Sequence, residues 1–97
     1  MTGGVHIRPG SNITLNGVDV QRCVDLAIEM SRRPTSQWNL PIGDANYSHS
    51  EHLCAVAGAR ALNKFRTKGF SREICRNALW AKIVNEAQQL KPIPEAV

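Results

Sequence analysis

The sequence predicts a single, mostly α-helical domain with a small N-terminal β-hairpin or extended segment. Three observations lead to this fold class. The chain has 97 residues, 42% of them hydrophobic and 21% charged, which is the size and composition of one globular domain spanning 1–97. Three later segments repeat apolar residues at helical spacing, and capping residues, glycine or proline bound each of them. Alternation typical of strands is confined to residues 1–16.

Residues 1–16 are predicted to form a hairpin or an arm. Val5 and Ile7 alternate with polar residues before a Pro-Gly-Ser-Asn turn, and Ile13 and Leu15 alternate with polar residues after it. If these segments pair, all four apolar side chains lie on one face. Since two strands are not stable alone in water, that face is expected to pack on the helices.

The first helix is predicted over 17–33. Asn16 is placed to cap its start, and Pro34 to stop it. An amphipathic helix of this kind buries its apolar stripe. The stripe contains Val20, Cys23, Val24, Ala27 and Ile28.

A long loop, 34–47, is predicted between the first and second helices. Connections of this length without a regular period are uncommon in small domains, and they usually pack on themselves or serve a function. We expect the loop to be ordered, with Trp38, Leu40, Ile42 and Tyr47 as its apolar anchors. Trp38 and Tyr47 are also candidate contacts for a partner.

An antiparallel helical hairpin is predicted over 48–91, and 92–97 is a tail. The two helices of this hairpin are expected at 49–67 and 72–90, with a glycine turn between them. Small residues on the first of them would let another helix approach closely, within the chain or in a homodimer. The predicted inner faces are Leu53, Cys54, Ala57, Gly58, Ala61 and Phe65 on the first helix, and Leu79, Trp80, Ile83, Val84, Ala87 and Leu90 on the second.

The stretch YSHSEHLC, 47–54, contains two histidines, a glutamate and a cysteine, a concentration of reactive side chains that is typical of metal sites and activated nucleophiles. Ser48 and Glu51, however, match the capping box S-x-x-E, and the cysteine falls on the apolar face. His49 and His52 stay without a structural explanation, and a metal would need further ligands from elsewhere, such as Asp44 or His6. We therefore predict no metal site, no catalytic residue and no cofactor, and we expect the histidines to be solvated or to anchor the loop.

Cysteine usage and hydropathy predict a reducing, cytoplasmic setting. Cys23, Cys54 and Cys75 are odd in number and form no CxxC pair, so neither a disulfide framework nor a ribbon-type zinc site is indicated. We expect all three to be buried thiols. The sequence contains neither a signal peptide nor an apolar run of the roughly 20 residues that span a bilayer, so no membrane partner is expected.

The net charge of +4 is concentrated near the turn of the predicted helical hairpin. Between positions 60 and 76 only Glu73 is acidic, so this window carries more than the whole excess of positive charge. A solvated surface that keeps an alanine-rich helix soluble is the simplest interpretation. The alternative is a binding surface for phosphates or for acidic protein. The cations of the window are Arg60, Lys64, Arg66, Lys68, Arg72 and Arg76.

The function predicted from these features is that of a small non-enzymatic regulatory protein whose basic patch binds nucleic acid. No nucleophile, base and anion site occur at compatible spacings, so an enzyme is not expected. The helix-turn-helix outline is weak because Phe65 occupies a position that prefers a small residue, which favours backbone contacts over sequence reading.

Two other functions stay open. One is a protein-protein inhibitor or adaptor, of the accessory type that phages and mobile elements encode, docking on an acidic or nucleic-acid-binding surface of a larger complex. The other is a small metal-supported domain that uses His49 and His52. The sequence does not distinguish DNA from RNA, and a homodimer is compatible with it.

Overall fold

The computed structural model describes residues 12–43 and 46–90. Two short strands, Thr14–Leu15 (β1) and Val18–Asp19 (β2), pair antiparallel and are followed by helix Val20–Ser31 (α1). A short 3-10 helix at Thr35–Gln37 precedes helices His49–Thr67 (α2) and Arg72–Gln89 (α3). The predicted fold class, mostly helical with a small N-terminal hairpin, is confirmed. Among the helices of the described part, none is both long and apolar enough to cross a membrane.

The β-hairpin turns at Asn16 and Gly17. Leu15 pairs with Val18 across this two-residue loop. The φ angles of the loop residues are 49° and 82°, which is the left-handed conformation that a type I′ turn requires at both central positions. Asn-Gly is the preferred pair for this turn, so the sequence carried a hairpin signal that the prediction interpreted as a helix start. The predicted pairing with residues before position 12 lies outside the described residues.

Helix α1 begins three residues later than predicted, and the prediction that Asn16 caps it is wrong. Asp19 is the cap, and its carboxylate accepts the Arg22 N–H at 3.1 Å. The Asn16 side chain instead donates to the carbonyl of Ala87 at 2.9 Å, in the last turn of α3. The Ala87 carbonyl also accepts the Leu90 N–H at 3.3 Å, so it takes a second donor from Asn16, and this bond joins the hairpin to the end of α3.

Helix α2 packs against both α1 and α3, and this changes which face it buries. Leu53 was predicted to face the core, but its side chain is 50% exposed, and Ala57, Ala61 and Phe65 are only partly buried. The prediction followed the stripe with the larger apolar residues, whereas contact with two helices selects the smaller ones. The buried face of α2 is Glu51, Cys54, Ala55, Gly58, Ala59 and Leu62.

At Gly58, α2 approaches α3 closely. A Cβ atom built there would lie 2.6 Å from Leu79 Cδ1 and 2.9 Å from Ile83 Cγ1, so only glycine fits without a shift of the core. Leu79 and Ile83 are fully buried, as predicted for the inner face of α3. Of the small residues of α2, Ala55, Gly58 and Ala59 are buried inside the chain, whereas Ala57 and Ala61 are only partly buried.

The turn between α2 and α3 has the predicted glycine cap. Gly69, at φ 79°, donates its N–H to the Arg66 carbonyl, and Phe70 donates to the Phe65 carbonyl. These two bonds form a Schellman motif, and the Phe65 and Phe70 rings add its usual apolar contact, with centroids 5.2 Å apart. Ser71 then caps α3. The helical hairpin is therefore defined by local interactions.

The loop between α1 and α2 packs on the domain, as predicted. Trp38 and Ile42 are buried, and Tyr47 is partly buried. The Trp38 indole donates to the Arg33 carbonyl at 3.1 Å, so its polar atom is satisfied. Leu40 was predicted as a fourth anchor, but its side chain is 51% exposed and packs on nothing that would hold the loop.

Candidate functional site: the basic hairpin tip and the groove beside it

The start of α2 confirms the capping box. The Ser48 hydroxyl accepts the Glu51 N–H at 3.1 Å, and a Glu51 carboxylate oxygen accepts the Ser48 N–H at 2.9 Å. Two of the chemically suggestive side chains in YSHSEHLC therefore satisfy backbone groups at a helix start.

Glu51 also joins the starts of α1 and α2, which sequence reasoning missed. Its second carboxylate oxygen accepts the Asp19 N–H at 2.9 Å. An Arg22 nitrogen lies 3.6 Å from the first oxygen, and the whole Glu51 residue is only 4% exposed. A buried carboxylate that accepts two backbone N–H groups has a structural role. The local sequence pattern could not predict this hydrogen bond because Asp19 lies 32 positions away from Glu51.

His52 holds the loop between α1 and α2. Its Nε2 atom lies 2.7 Å from the Trp38 carbonyl oxygen, which can only accept, so Nε2 carries the proton. Its Nδ1 atom then accepts the Tyr47 hydroxyl at 3.2 Å, and that hydroxyl accepts the Ile42 N–H at 2.8 Å. The Tyr47 and His52 rings also stack, with centroids 5.8 Å apart. The expectation of a loop-anchoring histidine is confirmed for His52, whereas His49 is exposed.

The histidine pair does not converge with further ligands in the described part of the chain. There, no group of three or more His, Cys, Asp or Glu side chains could hold a metal ion. Both ring nitrogens of His52 already have protein partners, so a metal would have to displace one of them. Asp44 and His6, which the sequence offered as additional ligands, lie outside the described residues.

Cys23 and Cys54 form a buried thiol pair between α1 and α2. The Cys23 sulfur lies 3.6 Å from the Glu51 carbonyl oxygen and within hydrogen-bonding reach of Cys54. The hydrogen bond to Cys54 and burial raise the pKa of Cys23 far above its ordinary value. The same hydrogen bond lowers the pKa of Cys54 because it stabilises that thiolate. Cys75 is buried as well, so the prediction of three buried thiols is confirmed.

The six cations of the predicted patch are all exposed, and within 12–43 and 46–90 none of them forms an ion pair. The ion pairs of this part of the chain involve other basic residues, namely Arg22, Arg32 and Lys82. We call the surface formed by the second half of α2, the turn and the start of α3 the hairpin tip, residues 60–76. The tip also contains Glu73, which together with Asp25 lines the same cleft as Arg72 and Arg76, so its positive charge is partly offset there without an ion pair among the described residues.

The cations surround the hairpin tip and do not share one face. Arg72 and Arg76 line a cleft between α3 and α1. Arg66 donates to the Ser31 hydroxyl at 3.2 Å, at the end of α1. The other three lie along a groove on the opposite side of α2, and they are Arg60, Lys64 and Lys68.

The groove lies between α2 and the loop that precedes it, and its volume is about 1130 Å³. One half is apolar, with Leu53 and Val56 on α2 and Pro41 on the loop. The other half carries the three cations, and no acidic side chain occurs among the described residues that line it. We call this feature the α2 groove. Trp38 and Tyr47, predicted as partner contacts, contribute to its wall.

Comparison with protein-family models, with curated proteins and with solved structures finds no match for this chain. Functional inference therefore rests on the two surfaces just described, the hairpin tip and the α2 groove.

Proposed function

We propose that this chain is a small non-enzymatic regulatory protein that binds nucleic acid through the hairpin tip. The observation that supports the proposal is the exposure of all six cations, none of which forms an ion pair within the described residues. Cations that are not neutralised within the protein attract a polyanion. When clustered cations contact phosphates, the counterions of the nucleic acid are released, and this release drives binding.

The spacing of the cations suits contacts with several phosphates. Arg60, Lys64 and Lys68 follow one another at four-residue intervals, so each step advances by roughly 6 Å along α2. Arg72 and Arg76 repeat this interval on α3. The cations point to both sides of the tip, an arrangement that suits contacts with the backbone of a duplex or a folded strand better than reading of base edges. Micromolar affinity with little sequence preference is the expected behaviour.

The direct test compares two double variants of equal net charge. Arg72→Gln with Arg76→Gln removes two charges at the tip, while Gln88→Glu with Gln89→Glu adds two negative charges at the exposed far end of the same helix. Fluorescence anisotropy with labelled duplex DNA, single-stranded DNA and RNA measures the dissociation constants. We expect the tip variant to lose about tenfold in affinity for the preferred nucleic acid, which is about 1.4 kcal/mol. The control is expected to lose less than about threefold, because long-range charge effects are screened.

Two results contradict the proposal. Equal losses in both variants would mean that only total charge matters and that the tip is not the contact surface. Absence of measurable binding to any of the three nucleic acids would remove the function altogether. In that case an acidic protein surface becomes the candidate partner for the same cations, in line with an inhibitor or adaptor.

A further inference from the structure

We propose that the α2 groove is a second binding site, which takes an acidic amphipathic segment of a partner protein. The segment would place apolar side chains on Leu53 and Val56, and carboxylates beside Arg60, Lys64 and Lys68. The proposal goes beyond the nucleic-acid contact of the hairpin tip. Because Arg60, Lys64 and Lys68 belong to both surfaces, an occupied groove leaves Arg66, Arg72 and Arg76 of the tip to contact nucleic acid, and the chain then acts as an adaptor between the two partners.

The apolar half of the groove is a surface that the described part of the chain leaves uncovered. Leu53 is 50% exposed although it lies in the second turn of α2, a helix that packs on both α1 and α3. Val56 follows at helical spacing on the same side. Val56 is partly buried and also packs against the core, whereas Leu53 is exposed. An exposed leucine beside a partly buried valine is a typical pair of anchor positions for an amphipathic partner.

Charge complementarity specifies the partner further. Among the described residues of the groove lining, three are cationic and none is acidic. A purely apolar segment would leave the cations without counter-charges, and a basic segment would be repelled. A segment with carboxylates at one end and apolar side chains at the other satisfies both halves. The lining runs from Ser48 to Lys68, roughly 30 Å along α2, which matches an amphipathic helix of a few turns or an extended segment.

The aromatic residues of the groove favour a protein segment over a single-stranded nucleic acid. Base stacking needs exposed ring faces. Trp38 is only 6% exposed, and the Tyr47 ring is stacked on His52. These rings form a wall that the His52 hydrogen bonds keep in place. A preformed wall lowers the ordering cost of binding a peptide but offers no platform for bases.

The test uses three labelled synthetic peptides of equal length as probes. The first is an amphipathic sequence of Leu and Glu, the second replaces Glu by Lys, and the third replaces Leu by Ser. Fluorescence anisotropy with the whole chain measures each dissociation constant. We expect the Leu and Glu peptide to bind at least about tenfold more tightly than either of the others.

A matched pair of variants locates the site. Leu53 and Leu40 are both half exposed, but only Leu53 lines the groove. Leu53→Glu is expected to weaken the Leu and Glu peptide by at least about tenfold, and Leu40→Glu by less than about threefold. Leu53→Glu is expected to change nucleic-acid affinity no more than Leu40→Glu does. Replacement of Arg72 and Arg76, in contrast, is expected to lower nucleic-acid affinity and to leave peptide affinity unchanged. The proposed peptide site and the proposed nucleic-acid site can therefore be confirmed or contradicted separately.

Four results would overturn the proposal. Equal affinity for the three peptides would show that the groove does not select an acidic amphipathic segment. Equal effects of the two leucine variants would place the peptide elsewhere. Loss of nucleic-acid binding in Leu53→Glu alone would make nucleic acid the occupant of the groove. Self-association in light scattering that Leu53→Glu abolishes would make a second copy of the chain the occupant.

Discussion

At the scale of single residues, Glu51 stabilises the starts of two helices, whereas the capping box predicted a role at only one of them. One carboxylate satisfies the Ser48 N–H and the Asp19 N–H, and so it fixes the start of α2 against the start of α1. The Arg22 contact adds little, because at 3.6 Å with a half-exposed guanidinium it is largely screened. The stabilising interaction is therefore hydrogen bonding to backbone groups that have no other acceptor.

Replacement of Glu51 by alanine is expected to lower the free energy of unfolding by about 2–4 kcal/mol, since two backbone donors lose their acceptor. Glu51→Gln keeps one acceptor oxygen and is expected to lose about half as much. Urea denaturation followed by circular dichroism measures both values. A loss below about 0.5 kcal/mol in the alanine variant, the level of ordinary surface substitutions, would show that the junction does not stabilise the fold.

The Cys23 and Cys54 pair predicts a loss of stability in alkaline solution. Above the ordinary thiol pKa of 9.0, the unfolded chain releases both protons, whereas the folded chain keeps the one on Cys23, whose pKa is raised by the hydrogen bond to Cys54 and by burial. The unfolded state then binds fewer protons, so the free energy of unfolding falls by about 1.4 kcal/mol per pH unit.

The lowered pKa of Cys54 contributes in the opposite direction, but only below pH 9.0, since above it that thiol is ionised in both states. Urea denaturation at pH values on both sides of 9.0 measures the slope. Cys23→Ser removes the titrating group and keeps a donor for Cys54. Above this pH its free energy of unfolding should therefore fall less steeply, by about 1.4 kcal/mol per pH unit, the contribution of one proton. Identical slopes in the two proteins would contradict the assignment.

At the scale of elements, local signals were sufficient for α2 and α3 and insufficient for α1. Ser48, Gly69 and Ser71 determine helix ends through neighbours only a few residues away, so the predicted range 49–67 agrees with the structure and 72–90 differs by one residue. Asn16 can cap a helix or form a turn, and the choice depended on the glycine that follows it and on the distant Ala87 carbonyl.

The face of α2 could not be read from the sequence for a related reason. Periodicity identifies a set of apolar positions, but it does not tell how many helices pack against them. Because α2 lies against both α1 and α3, small residues form the contact, and Leu53 remains outside. The sequence therefore predicted the helix and, with Cys54 and Gly58, part of its buried face, while Leu53 was assigned to the core incorrectly.

Gly58→Ala tests the close approach of α2 and α3. Helix propensity alone would stabilise the protein by about 1 kcal/mol. The added Cβ, however, would lie 2.6 Å from Leu79 and 2.9 Å from Ile83, both fully buried, and overpacking of this kind costs about 1–3 kcal/mol. We expect a net loss in the free energy of unfolding and a lower Tm in thermal denaturation. A gain of about 1 kcal/mol would show that the helices are less closely packed at this point.

At the scale of the whole molecule, the positive charge surrounds one end of the fold. The sequence predicted that the excess charge lies near the turn, because position along a helical hairpin translates directly into distance from its tip. It did not predict on which side each cation lies, since this depends on the rotation of α2 and α3 against α1. Arg72 and Arg76 therefore lie beside α1, while Arg60, Lys64 and Lys68 face the α2 groove.

The same rotation created the α2 groove, which sequence analysis missed. Its wall is the loop that His52 holds in place, and of the residues predicted for the inner face of α2 only Leu53 is among its described lining residues. The available sequence signal was the spacing of Arg60, Lys64 and Lys68 at intervals of four residues. Val56 lies one helical turn before this run, and Leu53 lies two turns before it. That pattern became interpretable as a surface once Leu53 was found outside the core.

The salt dependence of nucleic-acid binding tests the central claim most directly. Dissociation constants of the whole chain are measured from about 50 to 200 mM salt with the nucleic acid that binds best. If the cations of the hairpin tip contact phosphates, the logarithm of the association constant should fall linearly with the logarithm of salt concentration. Contacts with about three to five phosphates predict a slope of roughly −3 to −4.5 for a duplex, and a shallower one in Arg72→Gln with Arg76→Gln. A slope near zero, or the same slope in the variant, would contradict binding through the tip.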